Sequence, residues 1–128
     1  MGGRILIDTS IWIEYFKGNK SYTNFIDENL DLDNIYIVGP IISELLHGVK
    51  SKSEHDILSG AIEAVPFLNC TYADWVKAGK ILFELKKTGI SIPLTDAIIG
   101  SIALRMDASV LTLDSHFKKI KDLKILEI

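Results

Sequence analysis

Apolar residues in this chain fall first into one unbroken run and then into a series of helical stripes. Ile5-Leu6-Ile7 shows no alternation, the pattern of a strand buried on both faces in a parallel sheet. The run stops at Asp8, and Thr9-Ser10 can cap a helix over 11–16 that Lys17-Gly18-Asn19 ends. A second helix is predicted over 21–29 with Ser21 as its cap, then a polar break over 31–34 and a short strand over 35–38. Gly39-Pro40 opens a helix with the stripe Ile42, Leu45, Leu46 and Val49. Glu44 falls on the other side of that helix, facing solvent or a pocket, with room beside it at Gly48.

Ser53 is the expected cap of a further helix with the stripe Ile57, Leu58, Ala61, Ile62 and Val65, and 66–70 is a connector with room for a short strand. Thr71 caps a long helix over 72–88, with Trp75, Val76, Gly79, Leu82 and Phe83 inward and Lys77, Lys80, Glu84 and Lys87 outward. Gly89 ends it. After Ile92-Pro93-Leu94 and Thr95, a helix over 96–106 is apolar nearly all round and belongs in the middle of the fold. A strand over 109–113 leads to Asp114, then a helical turn over 115–119 and a closing strand over 124–128. Strands alternating with helices predict a single α/β domain over 1–128 with a largely parallel sheet.

The chain has 128 residues, 48% of them hydrophobic, enough for a sizeable core. Its one cysteine, Cys70, allows no intrachain disulfide, and no apolar run approaches the roughly 20 residues that span a bilayer. The start lacks a secretion-signal layout, and Met1-Gly2-Gly3 makes no myristoylation signal because Leu6 occupies the Ser/Thr position. A soluble cytoplasmic protein is expected. The net charge of −3 argues against a nucleic-acid partner until its distribution is considered. Setting four site candidates aside from the 17 acids leaves 13 against 14 Lys and Arg. A cation on those four acids therefore restores room for an RNA or DNA substrate. Lys118, Lys119, Lys121 and Lys124 are the densest basic cluster, and a merely solubilising role is the ordinary one.

Those four acids carry the chemistry. Asp8 and Asp114 each follow a strand, and Asp96 opens a buried helix; right-handed crossovers bring such positions to one sheet edge. Glu44 can reach that edge. Clustered carboxylates repel one another unless protons or a cation intervene. An all-oxygen set suits Mg²⁺ or Mn²⁺, and such a site supports phosphodiester hydrolysis. Each acid also has an ordinary alternative: a helix cap for Asp8, a first-turn acid for Asp96, a turn residue for Asp114 and a solvated helix residue for Glu44.

Four segments then carry a resemblance: I-L-I-D-T-S-I-W-I at 5–13, I-I-S-E-L-L-H-G at 41–48, P-L-T-D-A-I-I-G at 93–100 and V-L-T-L-D-S-H-F at 110–117. In this order and spacing the chain resembles the PIN-domain proteins, specifically the VapC-like toxin ribonucleases of toxin–antitoxin pairs. The resemblance implies a parallel sheet flanked by helices and a Mg²⁺- or Mn²⁺-dependent endoribonuclease. It matches Asp8 and Asp96 to the principal metal ligands, Asp114 to a third acid, and Glu44 to the acid that completes the site or orients water. It matches Thr112 to a supporting hydroxyl. It further implies a homodimer held by helical surfaces and a small antitoxin whose C-terminal segment lies along the toxin, for which the helices at 41–49 and 57–65 can form a groove or simply pack in the core.

Other readings fit less well. An aspartyl-phosphate phosphatase usually has a second Asp two places after the first, where Ser10 stands, and a phosphate-holding lysine that is not found near Asp96 or Asp114. A phosphate-accepting signalling domain wants an acidic pair on its first strand, and Asp8 stands alone. A non-catalytic binding module remains. His47 and His55 are read as structural or solvated, His116 as a residue near Asp114 able to approach a phosphate, and Trp12, Trp75 and Cys70 as core.

Overall fold

The computed structural model describes residues 3–128; Met1 and Gly2, the start of the Met1-Gly2-Gly3 segment, lie outside the described residues. Five parallel strands form one sheet in the order β3-β2-β1-β4-β5: β1 (Ile5–Ile7), β2 (Ile35–Val38), β3 (Phe67–Leu68), β4 (Ser109–Leu111) and β5 (Lys124–Ile125). The helices are α1 (Thr9–Phe16), α2 (Lys20–Asp31), α3 (Gly39–His47), α4 (Lys52–Glu63), α5 (Tyr72–Lys87) and α6 (Leu94–Met106), with a 3₁₀ turn at Ser115–Lys119. Ile5, Leu6 and Ile7 are all buried, as an unbroken apolar run in a central strand requires. Each such side chain contributes about 1.5–3 kcal/mol by leaving water.

α6 is buried continuously from Asp96 through Ala103. Gly100 admits Ile120 to its surface: a Cβ there would stand 2.5 Å from the Ile120 Cδ1. That close approach seats the 3₁₀ turn, whose Phe117 is fully buried.

Several expectations shift. α4 is capped by Ser51, whose hydroxyl accepts from the Glu54 N–H, rather than by Ser53. Asn19 caps α2 in place of Ser21, and the last strand ends at Ile125. α5 is rotated from the predicted face. Ala78 is buried and Ile81, Leu82 and Leu85 half-buried, whereas Trp75, Val76 and Phe83 stand outward, Trp75 54% exposed. Both faces of α5 carry apolar residues, so periodicity alone does not choose between them. Trp12 does lie in the core, and Cys70 is half-buried beside it. On α4 the predicted stripe buries in part: Ile62 is inside and Leu58 and Val65 pack half-buried against the core, but Ile57 is 72% exposed.

The clamp between α5 and α6 explains the rotation. Arg105 Nε and Nη2 donate to the Asp74 carboxylate at 2.9–3.2 Å, and Nη2 also reaches the Asn69 carbonyl at 2.7 Å. The same carboxylate accepts the Thr71 N–H at 2.8 Å, completing the capping box of α5. Burial pushes the Asp74 carboxyl up, but the hydrogen bonds from Arg105 and Thr71 outweigh it and hold it below the usual range. A depressed carboxyl adds stability above its unfolded-state pKa and loses it as pH falls through the folded-state value. Asp74→Asn is therefore expected to cost about 2–3 kcal/mol at pH 7, a difference that shrinks below about pH 4. Urea unfolding at neutral and acid pH measures both.

Candidate metal centre

The strand order reverses direction between β1 and β4: the chain steps from β1 outward to β2 and β3, then crosses to β4 and β5. Crevices at such a switch point, beyond the strand C-termini, are where open α/β sheets bind ligands. Asp8 leaves β1 there, its N–H bonded to the Leu111 carbonyl at 3.0 Å, and the register Ile7↔Leu111 sets it opposite Thr112.

Asp8 occupies the N-cap position of α1, yet its side chain makes no capping bond. Its Oδ2 instead accepts from Ser10 Oγ at 2.9 Å and from Thr112 Oγ1 at 2.8 Å. Those hydroxyls are themselves held, Ser10 Oγ by the Leu113 N–H and Thr112 Oγ1 by the Asp114 N–H. Asp8, a residue only 6% exposed, is thus fixed through one carboxylate oxygen by a chain of donors that joins the ends of β1 and β4. Thr112, matched to a supporting hydroxyl, accepts the Asp114 N–H while its own proton goes to Asp8.

Asp96 sits in the first turn of α6, only 7% exposed, and Asp114 caps the 3₁₀ turn by accepting the His116 N–H at 2.9 Å. His116 Nδ1 lies 3.0 Å from Asp96 Oδ2 and 3.1 Å from Asp114 Oδ1. Both neighbours are carboxylates, so Nδ1 carries the proton and donates between them. Ligand atoms of Asp96, Asp114 and His116 all fall within 4.8 Å of one another. Burial pushes the Asp96 carboxyl up and the charges of Asp114 and Asp8 add to that, while the His116 hydrogen bond opposes it; the net shift is upward. The carboxylates of Asp8, Asp96 and Asp114 thus meet a single imidazole N–H in this crevice. With its Nδ1 proton held between two carboxylates the imidazole offers no lone pair there, and the remaining set of carboxylate oxygens, in charge excess, fits a hard divalent cation.

Glu44 is exposed and stands outside the tight cluster. Its Oε1 accepts from Thr9 Oγ1 at 2.8 Å, which ties it to the residue after Asp8. It also borders an apolar groove of about 510 Å³ between α1, α3 and α4, to which Ile13, Phe16, Leu45 and Ile57 contribute. Two residues take part in ways the sequence does not predict. Ser10, predicted as a helix cap, donates to Asp8, and His116, predicted only to lie near Asp114, also bridges to Asp96. The signal for His116 was its place two residues past Asp114 in a tight turn. His47 and His55 are exposed and away from this set.

A family profile for the PIN domain matches residues 5–123. The chain is 30% identical over 121 residues to Ribonuclease VapC11 of Mycobacterium tuberculosis, covering 91% of this chain and 90% of that protein. Its fold is similar to a chain of VapBC2 from Rickettsia felis, solved bound to a promoter DNA fragment, with a TM-score of 0.83 at 23% identity over 95% of this chain and 96% of that one. DNA-bound VapBC from Salmonella typhimurium gives a TM-score of 0.83 at 19% identity, covering 97% of both chains. At these identities the two structures speak for the fold alone. With the profile and a relative matched nearly end to end, the chain belongs to the PIN-domain family, among the VapC ribonucleases.

Proposed function

We propose that this chain is a Mg²⁺- or Mn²⁺-dependent endoribonuclease, the toxin of a toxin–antitoxin pair, working as one nuclease domain over 1–128. The observation that carries this reading is the cluster of Asp96 and Asp114 around His116, with Asp8 at the end of β1 near enough for its charge to push the Asp96 carboxyl up. Asp8 and Asp96 would hold the cation, with Asp114 as a third ligand. Bound there, a divalent cation polarises a phosphodiester and makes water a competent nucleophile near neutral pH. Glu44, exposed and held by Thr9, orients the attacking water from the α3 side. His116 keeps Asp96 and Asp114 facing each other.

Thr112 acts by positioning Asp8. Thr112→Val keeps the shape and removes the proton that Asp8 Oδ2 accepts. Loss of such a supporting contact is expected to lower metal affinity and activity about 10–100-fold. Mn²⁺ titration by calorimetry alongside cleavage rates checks both.

The groove between α1, α3 and α4 suits an antitoxin segment with an apolar face and a basic side chain directed at Glu44. Relatives of this fold were solved as VapBC, which supports that assignment. The outward residues Trp75, Val76 and Phe83 of α5 offer the helical surface for a homodimer. Among the described residues no helix is long and apolar enough to cross a membrane. We place the protein in the cytoplasm, where its RNA substrates are.

Antitoxin-free protein incubated with a mixed RNA pool tests the function. Cleavage that requires Mg²⁺ or Mn²⁺, stops with EDTA and returns on adding excess cation is the expected result. Cleavage indifferent to EDTA, or none at all, would contradict it.

A further inference from the structure

The lysine cluster near the C-terminus divides in three dimensions. Lys124 pairs with Asp107 at 2.6 Å. Lys119 and Lys121 instead turn toward α5 and, with Lys77 and Lys80, line a groove of about 390 Å³. Glu84 and Asp122 also border it, but Glu84 leans to Lys87, 4.0 Å away and outside the groove. Among the described residues none of the four lysines has a carboxylate within 4.0 Å. Four unpaired ammonium groups around one groove repel one another, in a chain whose net charge is −3. Such a concentration of charge is relieved by a polyanion, which gives up its counterions on binding.

The 3₁₀ turn links the groove to the acidic crevice. The 3₁₀ turn that carries His116 ends at Lys119, three residues on, about 6 Å along the axis at roughly 2.0 Å per residue. Phe117 and Ile120 anchor the turn and the residue after it, so the direction from acids to lysines is fixed by the core.

We infer that the groove lined by Lys77, Lys80, Lys119 and Lys121 binds the sugar-phosphate backbone of the substrate RNA on one side of the scissile phosphate. This rests on the ribonuclease reading and adds the path of the strand to it. The lysines act on phosphates away from the reacting atoms, so they set KM and leave kcat near its parent value.

Fluorescence anisotropy of a labelled single-stranded RNA of mixed sequence tests this, with Asp96→Asn protein so that the probe stays intact. One variant carries Lys77→Gln, Lys80→Gln, Lys119→Gln and Lys121→Gln. A control with the same charge change carries Lys17→Gln, Lys20→Gln, Lys50→Gln and Lys52→Gln. The groove variant is expected to bind at least tenfold more weakly than the control. The slope of log affinity against log salt should fall by about 2–3, from about 0.7 per phosphate contact on a single strand. In protein with Asp96 intact, the groove changes should raise KM at least tenfold with kcat within about twofold. Equal binding by the two variants overturns the inference and leaves the ribonuclease reading standing. Parent protein that neither cuts nor binds RNA overturns both.

Discussion

Asp96→Asn is expected to lower RNA cleavage by about 10³-fold, equivalent to roughly 4 kcal/mol of transition-state stabilisation. The substitution keeps the size of the side chain and its place in the first turn of α6. Only the charge that would face the cation goes. The same change should raise the melting temperature of metal-free protein. A carboxyl whose folded-state pKa lies above its unfolded value adds stability below the unfolded pKa and loses it as pH rises through the folded one. With its carboxyl pushed up by burial and by the charges of Asp114 and Asp8, Asp96 is expected to cost the metal-free fold stability at neutral pH. An inactive variant with a higher melting temperature separates loss of the site from loss of the fold. Thermal unfolding in EDTA, set beside cleavage rates in Mg²⁺, measures the two together.

Phe117→Ala is the substitution expected to damage stability most. Phe117 is fully buried in a turn of only five residues, between Asp114 and His116 on one side and Lys119 on the other. Truncating a buried Phe to Ala costs about 3–5 kcal/mol. For a chain of this size that lowers the melting temperature by roughly 10–25 °C. The loosened turn also carries a candidate ligand, so the loss should be partly recovered by Mn²⁺. A cation at a hundred times its Kd returns about 2.7 kcal/mol. Differential scanning calorimetry with and without Mn²⁺ reads both effects. A rise in melting temperature with Mn²⁺ in the parent and in Phe117→Ala, but not in Asp96→Asn, locates the stabilising cation.

The central strand, the buried α6 and the arrival of Asp8, Asp96 and Asp114 at one edge could all be read from the sequence. Each rests on short-range rules: an unbroken apolar run, a helix apolar nearly all round, an acid where a strand ends. The orientation of α5 could not. Trp75, Val76 and Phe83 form as good a stripe as Ala78, Ile81 and Leu85, and the choice is made by Arg105 reaching Asp74 from a different helix. The outward tilt of Ile57 has a similar cause, because α4 flanks an open groove rather than closing it. His116 and Ser10 were visible as residues but not as partners. Their contacts to Asp96 and Asp8 depend on how two strand ends and one helix meet, which no local spacing records.

The most direct measurement is the anomalous scattering of Mn²⁺ in crystals of the antitoxin-free protein, at a concentration that supports RNA cleavage. A peak bounded by the carboxylates of Asp8, Asp96 and Asp114, absent from Asp96→Asn crystals, is the expected result. A peak elsewhere on the molecule, or none in crystals of protein that still cuts RNA, would contradict a metal-dependent ribonuclease centred on these acids.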